Sequence, residues 1–191
     1  YGANRDNFYG LVDRDFFEVH QHIGTVNTEV QITPDLTISN KTRASESLLN
    51  YIGTIPESPL TTGSMAGTLT ANTLSRYQVT DVVANQSEAT YKFDTGSWHH
   101  TATAGVEVSR ETSSIDTYTG LASEGAVGAF DSKGAPTDVS IFDPQLTFLP
   151  FGTPTLTGKP TQIAIDTTAV YLMDSVNYHD FVILNGGIRY D

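Results

Sequence analysis

The chain has 191 residues, no cysteine and a formal net charge of -12. That acidic balance excludes a phosphate-binding surface for nucleic acid and electrostatic docking on anionic lipid from the cytoplasm; the missing cysteine excludes disulfides, thiolate metal sites and cysteine nucleophiles. Hydrophobic residues make up 38 % and charged ones 17 %, so Thr, Ser, Asn, Gln and Gly fill the deficit, a composition suited to strands with one apolar and one wet face.

Residues 1–14 are rich in Gly, Asn and Asp and read as the tail of a loop. Alternation then begins. In 23–32 the even positions Val26, Thr28, Val30 and Ile32 oppose Asn27, Glu29 and Gln31, a period of two. After Thr33-Pro34-Asp35 it resumes over 36–44, with Leu36, Ile38, Asn40, Thr42 and Ala44 on one face and Thr37, Ser39, Lys41 and Arg43 on the other. Residues 53–75 read as a loop with a helical turn at 64–74. The next pair, 84–93 and 99–111, meets at Asp94-Thr95-Gly96-Ser97. Ala89, Tyr91 and Phe93 oppose Gln86, Glu88, Thr90 and Lys92; His100, Ala102, Ala104, Val106 and Val108 oppose Thr101, Thr103, Gly105, Glu107 and Ser109. Residues 112–162 form the longest connection, with a bend expected around Asp143-Pro144. The last pair, 167–176 and 181–191, meets at Asn177-Tyr178-His179-Asp180 and carries Val182, Leu184, Ile188 and Tyr190 against Asn185, Arg189 and Asp191.

Short turns alternating with long loops are the layout of an outer-membrane β-barrel. Aromatic residues near the strand ends (Tyr91, Phe93, Trp98, Tyr178, Phe181) fit its interfacial girdle. A soluble secreted β-sandwich, acting as a binding or adhesion module, is the alternative. The two differ at the even face of 100–108, which a sandwich covers with a second sheet and a barrel leaves as a bare apolar band. No apolar run approaches the ~20 residues of a spanning helix. Both ends read as cut, so a piece of a longer protein is expected.

No catalytic constellation emerges, and the chain is not expected to be an enzyme. His20 and His22 share a strand face with metal-compatible spacing but lack a third ligand; His99 and His100 point to opposite faces. Asp166, Asp174, Glu107 and Glu111 are scattered carboxylates, there is no Gly-x-Ser-x-Gly elbow, and Gly125-Ala126-Val127-Gly128 lacks a strand–helix context. No cofactor or metal is implied. Lys41, Arg43, Glu88, Lys92, Glu107 and Arg189 fall on the hydrophilic face, where they would line a barrel lumen.

Several stretches resemble one family. They are Asn7-Phe8-Tyr9-Gly10-Leu11 with Arg14-Asp15-Phe16; Ile23-Gly24-Thr25-Val26; 36–43; 100–111; Ala169-Val170-Tyr171 with Asp174; and 184–191. Together they resemble the barrel of TonB-dependent siderophore receptors, nearest the catecholate-type subgroup. The resemblance implies an all-β fold of antiparallel up-and-down strands, about six of them, forming an open curved sheet as a fragment of the barrel. It implies a bacterial outer-membrane location, a ferric siderophore as ligand, outer-membrane lipid around the wall, and energy from the inner membrane through a periplasmic coupling protein that contacts a plug domain. The plug is absent from this chain. In the family orientation the short turns are periplasmic, and 53–75 and 112–162 are extracellular loops. Basic and aromatic loop residues that would meet an anionic chelate are Arg76, Tyr77, Arg110, Tyr118, Phe130 and Lys133.

Overall fold

The computed structural model describes residues 2–121, 139–144 and 152–191, and among them there is no helix. The long strands are β1 (Phe16–Gln31), β2 (Leu36–Glu57), β3 (Thr68–Thr95), β4 (Trp98–Asp116), β8 (Thr161–Tyr178) and β9 (Val182–Tyr190); β5 (Tyr118–Thr119), β6 (Val139–Ser140) and β7 (Thr155–Leu156) are two-residue pieces. The main sheet runs β1-β2-β3-β4-β8-β9, with β6 added to β3, while β5 and β7 pair separately. Neighbours along this order are consecutive long strands, an up-and-down path. Among the described residues β1 and β9 end the sheet and do not pair with each other, so the sheet is open.

The strands outrun the periodicity. Of the first expected loop, only 58–67 is irregular; the expected helical turn is a turn at 64–67 followed directly by β3. The reason lies in 68–73, Thr-Leu-Thr-Ala-Asn-Thr, where Leu69 and Ala71 form an apolar face too small to register as a strand pattern. They are nonetheless buried, packed with Val139 and Ile141 and against Tyr9. In the second expected loop β4 runs to Asp116 and β8 starts at Thr161, and the bend near Asp143 is present at 141–143.

Each hairpin turn has its own chemistry. At β1–β2, Pro34 sits second in a four-residue turn, where its fixed φ is pre-set. The Leu36 amide donates to the Thr33 carbonyl at 3.3 Å, and Thr33 Oγ1 accepts from Leu36 N at 3.0 Å. At β3–β4 only Gly96 and Ser97 lie between the strands, with Gly96 at φ +68, the geometry that matches strand twist. At β8–β9, His179 and Asp180 both hold positive φ, and Asn177 pins the turn by accepting from Asp180 N at 2.9 Å and donating to Asp180 Oδ1 at 2.7 Å.

The chain divides into two compact units: Tyr1–His20, Leu48–Val79 and Ser114–Thr161; and Gln21–Ser47, Thr80–Ser113 and Gln162–Asp191. The first has a small core of Leu11, Ile52, Leu69, Ala71, Leu121, Val139 and Ile141. In the second, Ala169 is the only buried apolar residue among those described. Its greasy face lies bare instead. Val106 is 41 % exposed, Val108 47 % and Ile188 74 %, while Gly105, Glu107 and Ser109 on the opposite face of β4 are half-buried. Among the described residues no second sheet covers the even face of 100–108, so the sandwich alternative is not favoured. Val26, Val30, Ile32, Ile38, Val170, Leu172 and Leu184 extend the bare surface. At about 1.5–3 kcal/mol per large apolar side chain, leaving this face in water forfeits on the order of 10 kcal/mol, comparable with a domain's whole stability. An apolar medium is the cover that such a face requires.

A Cβ at Gly96 or at Gly53 meets nothing within 4 Å, but only Gly96 has positive φ. Gly96→Ala is therefore expected to destabilise the fold by about 1 kcal/mol through backbone strain alone, and Gly53→Ala to leave it unchanged or slightly firmer. Urea midpoints in lipid vesicles measure both; equal shifts would refute the turn assignment.

Candidate functional site

In the second unit the half-buried face of the sheet carries one connected polar network. The β8–β9 ladder sets Tyr171 opposite Arg189, so both project to the same side. The Tyr171 hydroxyl donates to Glu88 Oε1 and accepts from Gln86 Nε2 at 2.7 Å. Ser39 donates to the other Glu88 oxygen at 3.4 Å. Arg189 lies over the Tyr171 ring, 5.9 Å from its centroid, and its Nη1 reaches Glu107 at 3.0 Å while Nη2 holds Asp191 at 2.7 Å. Four strands, β3, β4, β8 and β9, are thus tied through one tyrosine and one arginine. The tyrosine fits because β4 offers Gly105 beneath it: a Cβ there would lie 2.2 Å from the ring. Beside this network is a hollow of about 500 Å³ lined by Gln86, Glu88, Tyr171, Met173, Gly187, Ile188 and Arg189.

Three of the residues expected on the hydrophilic face, Glu88, Glu107 and Arg189, meet in this network. Lys41, Arg43 and Lys92 are exposed, with no ion pair among the described residues. The opposite face keeps its own polar set: Asn40 and Asn85 exchange amide hydrogen bonds at 3.1 Å, and their second N–H groups go to Ser87 at 2.8 Å and Thr42 at 2.7 Å. These amide donors are satisfied within the patch, which lowers the cost of placing it on a greasy surface.

In the first unit the organising group is Arg14, whose side chain is 2 % exposed. It pairs with Asp15 at 2.8 Å and donates to the Leu121 carbonyl and to Thr54 Oγ1, both at 2.7 Å. Thr54 in turn donates to Asp15 at 2.6 Å, and the Leu11 amide does so at 3.1 Å. A buried arginine left without these partners would cost several kcal/mol; here it fastens the 11–15 turn to β2 and to the segment after β5. Tyr9 and Asn7 fasten the preceding residues to the Ile141 carbonyl. Beside this clamp a groove of about 480 Å³ is walled by Phe8, Tyr9, Phe16, Phe17, Tyr51 and Pro56.

Of the expected ligand-contact residues, Tyr118 is the best anchored. Its hydroxyl donates to Asn50 at 2.9 Å, its ring meets Phe16 edge-on at 6.2 Å, and its amide donates to Ser75. Arg76 is exposed and bonds Gln78 at 2.9 Å, and Tyr77 is half-buried beside it on β3. Arg110 belongs to the second unit, where it meets Asp166 at 3.3 Å with both side chains exposed. Phe130 and Lys133 lie outside the described residues. His20 and His22 are exposed, and no cluster of three metal-ligating groups occurs among the described residues.

Sequence reasoning missed two features. Tyr171 figures in the sequence only within the family-like stretch 169–171; the lone glycine of β4, Gly105, is the one local signal of the space that its ring fills. Arg14 lay in a segment read as loop, and its burial depends on Leu121, far along the chain, which no local pattern shows.

Asp116 closes β4 against the β7 segment. Its carboxylate accepts from the Thr157 hydroxyl, from Thr117 N at 2.8 Å and from Gly158 N at 3.0 Å. The Thr157 hydrogen bond is the main cause holding its pKa below the ordinary value of 3.8, with the backbone amides adding to it against desolvation. It ends a 19-residue strand, beyond the ~10 residues that a bilayer crossing uses. A depressed carboxylate stabilises above its unfolded pKa and loses that contribution as pH falls through the lower folded value. Protection of the Gly158 amide from hydrogen exchange is therefore expected to be full at pH 5 to 7 and to fall only below about pH 4. Asp116→Asn should weaken it at pH 5 to 7 and abolish the fall at low pH; loss in the native protein already near pH 5 would contradict the assignment.

Tyr171 and Gly105 form a testable pair. Gly105→Ala should displace the ring and cost about 1–3 kcal/mol. Combined with Tyr171→Ala the losses should be clearly less than additive; additive losses in urea titrations would show that the two do not interlock.

No protein-family model matches the chain. Among curated proteins, the probable TonB-dependent receptor BfrD of Bordetella pertussis is 30 % identical over 194 residues, covering all of this chain and 26 % of that protein. The catecholate siderophore receptor Fiu of Escherichia coli K12 is 31 % identical over 193 residues, covering 97 % of this chain and 23 % of Fiu. The crystal structure of Fiu in its open form superposes with a TM-score of 0.75 at 27 % identity, over 98 % of this chain and 27 % of that one. The siderophore receptor PiuA of Acinetobacter baumannii shares the fold, with a TM-score of 0.79 at 23 % identity over 99 % of this chain and 27 % of PiuA. The chain thus spans about a quarter of the length of the relatives that it matches. The match runs through the whole up-and-down sheet, bare apolar face included: this chain belongs to the TonB-dependent siderophore receptor family, as a stretch of the β-barrel wall.

Proposed function

We propose that this chain is part of an outer-membrane receptor that binds a ferric siderophore and imports it with energy drawn from the inner membrane. The bare apolar face carries the reading. It is bounded on β4 by Trp98 and Arg110 and on β8 by Tyr178 and Asp166, and it suits the hydrocarbon of a bilayer. The opposite face, with Glu88, Glu107 and Arg189 in one network and Lys41, Arg43 and Lys92 exposed, then lines the lumen. The hairpin turns at 33–35, 96–97 and 179–181 face the periplasm. The segments within 53–75 and 112–162 face outside, the second including the Tyr118 strand and the β6 pairing. A periplasmic coupling protein acts on a plug domain that this chain does not contain. The ligand is an anionic ferric chelate; the catecholate named for Fiu makes that class the first to try. Arg76, Tyr77 and Tyr118 are the contacts favoured among the described residues, Arg110 belongs to the upper rim of the band, and Phe130 and Lys133 are further candidates.

The test is uptake of radio-labelled iron in iron-starved cells lacking the gene. Loss of ferric-catecholate uptake, restored by the complete gene, is the expected outcome; unchanged uptake of every ferric chelate tried would sink the reading. In the complete receptor, Tyr118→Ala should raise the half-saturating chelate concentration by about fivefold, the equivalent of ~1 kcal/mol for one ring contact with the chelate, while leaving the amount of receptor in the outer membrane unchanged.

A further inference from the structure

The bare face is not wholly apolar where it nears the turns. Tyr91 and Phe93 stack at 5.8 Å, Phe93 lies flat on the His100 ring at 4.6 Å and 5°, and Trp98 meets Tyr178 at 4.6 Å. Inset in this aromatic belt is a chain of three polar groups. Thr95 Oγ1 contacts His100 Nε2 at 2.7 Å, and His100 Nδ1 contacts Asp174 Oδ2 at 2.7 Å. Asp174 shares parity with Leu172 and Val170, whose ladder partners Ile188 and Tyr190 stand exposed, so the pair belongs to the outward face. Both nitrogens of His100 are committed. Asp174 Oδ1 accepts nothing and is sealed from water, although the carboxylate side chain as a whole is 35 % exposed. The exposed part of that carboxylate stands on the outward face beside His100.

An aromatic belt marks the depth at which lipid headgroups, not acyl chains, surround a membrane protein. What this inset lacks is a hydrogen-bond donor; it has none left to offer a phosphate. We propose that Asp174 and His100 form a binding site for the ammonium of a zwitterionic aminophospholipid in the leaflet beside the periplasmic turns. The ammonium donates to the exposed side of the Asp174 carboxylate and balances its charge, while the phosphate stays outward in the headgroup layer. The inference rests on the outer-membrane reading given above.

The complete receptor, reconstituted in nanodiscs, tests it. Phosphatidylethanolamine is compared with phosphatidylglycerol by competition for the lipid retained in native mass spectrometry and by thermal midpoint. Preferential retention of phosphatidylethanolamine and a higher midpoint with it are expected. Asp174→Asn should reduce the preference about tenfold, the worth of one charge-assisted hydrogen bond. Leu172→Ala, on the same face, should leave it intact. Equal retention of the two lipids by the native receptor, or an unchanged preference in Asp174→Asn, would overturn the site. A nitroxide on Val106→Cys separates this from failure of the underlying reading: accessibility to oxygen but not to a water-soluble relaxant places the face in lipid, so a missing headgroup preference there defeats the site alone.

Discussion

A main-chain amide or carbonyl in hydrocarbon has no water to turn to, and each one left unpaired costs several kcal/mol. An antiparallel ladder removes that problem for every strand with a neighbour on each side, and then leaves the side chains free to differ between the two faces. In this chain they differ in the reverse of the usual sense. The apolar side chains of β4, β8 and β9 stand bare, and the charged and hydrogen-bonding ones are gathered into contact. A soluble sheet would have to hide the first and could expose the second.

The polar face shows why such an arrangement holds together without a hydrophobic core. Tyr171 takes the place of packed aliphatics: its ring fills the gap over Gly105, its hydroxyl joins Gln86 and Glu88, and Arg189 lies over it while binding Glu107 and Asp191. Glu88, Glu107 and Arg189 are partnered across strands, so they add sidewise cohesion to the ladder's own hydrogen bonds. The greasy face obeys the complementary rule. There Asn40 and Asn85 satisfy each other's amide groups.

The first unit works by a different principle. Its residues cover one another, with a compact apolar cluster and a buried Arg14 whose donors are distributed over Asp15, Thr54 and Leu121. Buried and multiply bonded, that guanidinium gives positional definition to connections that alternation alone would leave loose. Tyr118, held by Asn50 and Phe16, gains its fixed orientation from the same unit. Binding surfaces carried on loops need such a scaffold if they are to recognise a ligand without first paying to order themselves.

Period-two alternation determined, by itself, the strands around the three turns and the residues that share each face; this follows because a strand's side chains point to opposite faces in strict succession. Pro34, Gly96 and the Asn177 turn were likewise legible, since each meets a local dihedral requirement. Only the tertiary structure decided how far β2, β3 and β4 extend, because Thr- and Ser-rich stretches such as 68–73 become strands through contacts with distant Val139 and Ile141 rather than through their own pattern. It also decided which face lies bare. Alternation marks two faces as different, but whether the apolar one meets a second sheet or an apolar solvent depends on what packs across it, and among the described residues nothing does.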